Sequence, residues 1–208
     1  MPDTDELLDW LREKAWTLLA VAALGSLGLY SLATRPLHPP SGVLAPDEPI
    51  QGPPTNPEPW IFRDHRLVSL ASFDIKARVL SRERYRFDRA AELSPIDLAL
   101  GWGRMSDSAV LDQIKIRQDG RWYYWSTPRF PIPADEISSH SANMHMIPGD
   151  AHVRDQLLDV REGQVIRLQG QLVQAEGRDH WKWRSSLSRT DTGDGACEVI
   201  WVESVDAR

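Results

Sequence analysis

At 208 residues, with 24 basic and 30 acidic side chains and a net charge of −6, the chain has room for one ordinary domain plus additions. The acidic excess lies before residue 61, and the 21 bases and 22 acids of 61–208 lack the basic field of a nucleic-acid binder. A single cysteine, Cys197, excludes an intrachain disulfide and leaves stability to the core.

Residues 1–14 form an acidic tail in which Leu7, Leu8, Trp10 and Leu11 predict a short amphipathic helix at a membrane interface. Ala15 to Thr34, AWTLLAVAALGSLGLYSLAT, follows without a charge. As a helix it spans about 30 Å, the thickness of a bilayer's hydrocarbon core. Ser31-Leu32-Ala33 is a passable signal-peptide cleavage site, but the acidic start and the length of the apolar run favour an uncleaved anchor. Arg12 and Lys14 before the span outnumber Arg35 after it, which predicts a cytoplasmic N-terminus and a domain outside the cytoplasm.

Residues 35–60 hold nine of the fifteen prolines. Proline removes amide donors and fixes φ, so the expectation is an extended, polyproline II-like spacer free of helix and sheet. At about 3.1 Å per residue it would hold the domain up to roughly 75 Å from the membrane.

In 61–208 the pattern turns to period two. Phe73, Ile75, Ala77 and Val79 alternate with Asp74, Lys76 and Arg78, a half-buried strand. Arg82, Arg84, Arg86 and Arg89 among acids predict a salt-bridged surface. Ser94-Pro95 has the form of an N-cap and N1 proline, which predicts a short helix over Pro95–Leu100. Ser106 or Asp107 caps a second one. Asp119-Gly120 joins IKIRQ to RWYYWS as a two-residue hairpin turn. That register pairs Ile116 with Tyr123 and Ile114 with Trp125 on a core face, and Arg117 with Trp122 and Lys115 with Tyr124 outside. Residues 134–148 show no period. AHVRDQLLDV (151–160) reads as a helix, and Gly170 inside QVIRLQGQLVQ as a bend or bulge. HWKWRSSLS is a further strand, and CEVIWVESV, apolar on both faces, a central one. The fold class predicted is mainly β with short helices: a small, partly open antiparallel barrel, OB-like or SH3-like, behind one transmembrane helix.

No catalytic motif emerges. His140 and His145 are five apart, a spacing that puts them on different faces of a helix or a strand, and Pro148-Gly149 separates His145 from His152. No metal site, cofactor or catalytic residue is therefore assigned. Cys197 reads as a buried structural thiol. Asp191, Asp194 and Glu198 do not match an EF-hand, and turn chemistry accounts for them.

DLALGWGRMSD (97–107), HSANMH (140–145) and WRSSLSRTDTGDGACEVIWVE (183–203) resemble a widespread family of bacterial single-pass, membrane-anchored proteins of unknown function. The resemblance implies an anchored domain and no activity, substrate or catalytic residue. The strings fall mostly in loops and turns, where binding surfaces commonly lie. Trp102, His140, Ser141, Asn143 and His145 are the candidate binding surface. The leading expectation is a non-enzymatic binding or assembly module of the bacterial envelope, at the inner membrane, with an envelope protein or component as partner. The alternative is an envelope hydrolase using His140 or His145 as base or metal ligand. Binding of single-stranded nucleic acid ranks third.

Overall fold

The structure is a computed structural model that describes residues 14–25, 35–191, 193 and 195–207. It divides into two compact units, 1–35 and 36–208. In the first, residues 14–25 form a helix, α1, whose Trp16, Leu18, Leu19, Val21 and Leu24 are exposed. Among the described residues no helix is long and apolar enough to cross a membrane. Residues 26–34 of the expected span and residues 1–13 of the expected tail lie outside the described residues.

The second unit is mainly β. Its strands are β1 (Ile50–Gly52), β2 (Trp60–Phe62), β3 (His65–Arg84), β4 (Ile96–Gly101), β5 (Lys115–Asp119), β6 (Trp122–Ser126), β7 (Ser141–Pro148), β8 (Val165–Glu176), β9 (Lys182–Arg184) and β10 (Glu198–Ala207). Its helices are α2 (Ser108–Leu111), α3 (Ala134–Ser139) and α4 (Ala151–Asp159). β3 pairs with β4, β4 with β7, β7 with β10, β10 with β8, and β8 returns to β3. These pairings close a ring, where the sequence predicts a partly open barrel. One of them, β7–β10, is parallel. β5 and β6 form a separate two-stranded sheet.

The ring encloses the main core, to which every ring strand contributes: Phe73 and Ile75, Leu98, Met144, Leu168 and Ile200 are examples. Each such side chain contributes roughly 1.5–3 kcal/mol by leaving water. The predicted alternation of Phe73, Ile75, Ala77 and Val79 is the inward face of β3, although that strand starts eight residues earlier. α4 packs Val153 and Leu157 against the same core. Asp150 caps its start by accepting from the Val153 N–H at 2.8 Å. Arg82 and Arg84 donate to the carbonyls of Val160 and Leu158 at its end, satisfying groups that a helix C-terminus leaves unpaired. Gly170 admits the Trp201 carbonyl into space that a Cβ would occupy, and the bulge lies opposite it on β10, between Val202 and Ser204.

Three expectations need correction. Residues 96–101 are a strand, not a helix. All six are buried and pair on both sides, with β3 and β7, so tertiary pairing overrides the local cap signal. Pro95 precedes the strand, where its missing N–H disrupts no ladder bond. Secondly, the hairpin turn is Gly120-Arg121, one residue later than predicted, with φ of 57° and 72°. Ile116 faces Trp125 and Arg117 faces Tyr124. The two faces of the hairpin stay as predicted, because moving a two-residue turn by one position preserves side-chain parity.

Thirdly, the proline-rich stretch is not a free spacer. Leu37 N–H donates to Glu162 O at 2.7 Å and Gly103 N–H to Ala45 O at 2.8 Å. The Ser106 hydroxyl accepts from the amides of Leu44 and Ala45, both at 3.0 Å, and Asp107 accepts from that of Gly42 at 2.8 Å. Ile50–Gly52 pairs with β3 as β1. Proline deletes only its own amide, and the residues between the prolines supply the donors that tie the strap down.

Candidate functional site

The connection from β4 to β7 carries α2, the β5–β6 hairpin and α3, and it has its own small core of Met105, Ile114, Ile132 and Ile137. It folds over the outward face of β4 and β7, where Asp97 opposes His145, Ala99 opposes Asn143 and Gly101 opposes Ser141. Alternation along β7 puts Ser141, Asn143 and His145 on this face and Met144 and Met146 in the ring core.

Arg121, at the hairpin turn, ties the insertion to the ring. Its guanidinium donates to Asp97 at 2.7 Å, to Asp88 at 3.0 and 2.9 Å and to the Ser94 carbonyl at 3.0 Å. It lies 3.6 Å from the centroid of the Tyr85 ring, and its backbone N–H donates to the Tyr85 hydroxyl at 3.0 Å. These contacts hold a non-glycine residue in a left-handed conformation, which isolated turns rarely allow. Burial, reinforced by the charge of Asp97, pushes the Tyr85 phenol up to about 12.

The predicted surface residues fall into three settings. His145 is 3% exposed; its Nδ1 lies 2.9 Å from Asp97 Oδ2 and its ring centroid 4.5 Å from that of Trp183. It is sealed inside the Arg121 network. His140 follows α3 and is clasped by the strap: its Nε2 lies 2.9 Å from Glu48 Oε1, while the Trp102 indole N–H donates to Glu48 Oε2 at 2.8 Å. Ser141 and Asn143 border a cavity, with Trp102 beside them. Ser141 donates to the Ile137 carbonyl at 2.6 Å; Asn143 accepts from Gln118 at 2.6 Å and donates to the Arg121 carbonyl at 3.0 Å.

That cavity, of about 160 Å³, lies between the hairpin and the loop before β10. The hairpin contributes Trp122, Tyr123 and Trp125, and the loop Arg189, Asp191 and Cys197. Glu198, the first residue of β10, completes it and is 1% exposed. Burial pushes Glu198 up to about 8 against the pull of the Arg189 charge. Burial and the neighbouring Glu198 push the Cys197 thiol up to about 12, which keeps it protonated and a weak nucleophile at neutral pH.

Arg121 and Glu48 escape the sequence reading, which touches Arg189 only within the 183–203 string and Glu198 only as a turn acid. Glu198 carries a signal, a charge opening the apolar run 199–202. Of the acids attributed to turn chemistry, Asp191 accepts from the Ser186 hydroxyl at 2.6 Å, Glu198 belongs to a strand, and Asp194 lies outside the described residues. Among the described residues no three His, Cys, Asp or Glu side chains converge as a metal site requires. No protein-family model, curated protein or solved structure matches the chain.

Proposed function

We propose that the protein is a membrane-anchored binding module of the bacterial envelope, held by residues 15–34 with its β domain outside the cytoplasm. The carrying observation is the cavity: tryptophans and a tyrosine on one side, an arginine and buried polar groups on the other, in the mix that ligand sites use. The ring order supports an OB-like barrel over an SH3-like one. A five-strand ring with a helix, α4, between its third and fourth members, and a single parallel pair between the third and fifth, agrees with that reading. OB barrels bind on the face of their second and third strands and on the loop between the fourth and fifth. Here those are β4, β7 and the connection after β8; Ser141 and Asn143 of β7 and Arg189, Asp191 and Cys197 of that connection line the cavity. This is an argument by fold analogy.

For the anchor, the support is the uncharged sequence 15–34 and the exposed apolar side chains of α1. The resemblance of 97–107, 140–145 and 183–203 to single-pass envelope proteins points the same way. The hydrolase reading draws on the Asp97–His145 contact, a base and its orienting acid. Trp183 and the Arg121 network enclose that pair, which favours a structural role.

The test has two arms. Fractionation with reporters fused at each end is expected to recover the full chain in the inner membrane with its C-terminus outside the cytoplasm. A photo-crosslinker at Tyr124, an exposed hairpin position, is expected to capture an envelope component in wild-type chain and not in Trp122→Ala. Recovery of intact chain in the detergent-free soluble fraction, or capture unaffected by the substitution, overturns the reading.

A further inference from the structure

The cavity holds a charged pair with unused hydrogen-bonding capacity. Arg189 Nη1 lies 2.8 Å from Glu198 Oε1. Yet Nε, Nη1 and Nη2 of Arg189 and Oε2 of Glu198 are buried and in line with no hydrogen-bond partner among the described residues. Unmet buried donors and acceptors are costly, and native structures keep few of them without a reason. Here four such atoms belong to two residues that line one cavity.

The ligand has to suit both members of the pair. An anion would satisfy Arg189 but oppose Asp191. A cation would face the guanidinium. A hydroxyl group donates and accepts, so neighbouring hydroxyls can accept from Arg189 and donate to Glu198 at once. Asp191, beside the pair, is a further acceptor. Trp122 and Trp125, from opposite faces of the hairpin, border the cavity and supply apolar aromatic surface for the C–H side of a ring. At about 160 Å³ the cavity is smaller than the ~300–1,000 Å³ of drug-sized sites, so it admits one small unit of a ligand.

We infer that the cavity is a saccharide site that takes one neutral sugar residue, with its hydroxyls bridging Arg189 and Glu198 and its ring face against Trp122. This names the ligand class of the binding module proposed above and rests on that reading. At neutral pH the Glu198 carboxyl, raised to about 8, keeps its proton, and Asp191 rather than Glu198 offsets the Arg189 charge, in keeping with an uncharged ligand.

The test uses the full chain in a polyoxyethylene detergent, which carries no sugar group. Glucose and N-acetylglucosamine are titrated by saturation-transfer NMR, with free arginine as the cationic probe and inorganic phosphate, followed by phosphorus NMR line broadening, as the anionic one. Saturable binding of at least one sugar is expected, weakened tenfold or more by Glu198→Ala and by Trp122→Ala. Trp122 is 38% exposed on the separate hairpin sheet, so its variant keeps the test alive should Glu198→Ala fail to fold. No sugar binding, or sugar binding indifferent to both substitutions, overturns the inference. Phosphate or arginine binding in place of sugar, lost in the variants, overturns the saccharide class and leaves the binding module standing. No binding by any probe, together with no captured envelope component, brings both down.

Discussion

The two faces of the β4–β7 ribbon are equally dry, and different chemistry closes them. On the inward face Leu98, Leu100, Met144 and Met146 meet hydrocarbon from the rest of the ring, and any well-shaped neighbour serves. On the outward face Asp97, Asn143 and His145 meet particular polar partners. Apolar burial degrades gradually as atoms are removed. A polar face fails stepwise, because removing one partner strands the other.

The largest effect is expected at Arg121. Arg121→Ala leaves Asp97, at 0% exposure, without its arginine, and the loss should be about 3–5 kcal/mol in denaturant unfolding. Replacing both members, Arg121→Met with Asp97→Leu, should recover much of it. A double variant as unstable as the single one would break the contrast. On the inward face Leu98→Ala should cost about 3 kcal/mol, while Leu98→Met should stay below about 1.5 kcal/mol. A methionine as damaging as an alanine would show that this face also demands one particular shape.

Glu198 extends the comparison to pH. Its folded-state pKa is raised from 4.5 to about 8, so the folded chain keeps a proton that the unfolded chain releases. The stability this represents is full below about pH 4.5 and is lost as pH rises to about 8, on the order of a few kcal/mol. Asp74, Asp107, Glu136 and Glu176 are lowered by their hydrogen-bond partners and act oppositely, but they titrate at acid pH. Between pH 5.5 and 8 the midpoint of thermal unfolding should therefore fall in wild type and flatten in Glu198→Gln. A profile unchanged by the substitution sinks the assignment. The smallest effect belongs to the strap: Glu48→Ala removes the bridge between Trp102 and His140 and should cost about 1 kcal/mol. Limited proteolysis should then cut faster within 36–59, and an unchanged cutting rate would show that the amide bonds to Ser106 and Asp107 suffice.

The same division explains what could be read from the chain. Inward-facing strands announce themselves locally: Phe73 to Val79 alternate, and residues 151–160 carry a helical apolar spacing. The outward network does not, because its members come from distant places. Arg121 reaches Asp97, Asp88 and Tyr85, and the amides of Gly42, Leu44 and Ala45 end on Ser106 and Asp107. Nothing near Arg121 or Glu48 reveals those partners. β4 was misread for a related reason. Six residues behind Ser-Pro satisfy a helix signature, and only the flanking strands β3 and β7 decide otherwise. Ser141 and Asn143 stand in one distinctive string and Arg189 and Glu198 in another, but only the barrel brings the two strings to one cavity.

The ring's closure has a kinetic consequence. β3 meets β8 in pairs such as Arg66 with Glu176, and β7 finds its second neighbour only in β10, the last strand of the domain. Such long-range contacts slow folding, typically to milliseconds or seconds. Until β10 emerges, one edge each of β7 and β8 is left bare, and bare edges invite pairing with other chains. Synthesis must therefore pass β10 before this barrel can shut, and the growing polypeptide depends on protection from its neighbours for that interval.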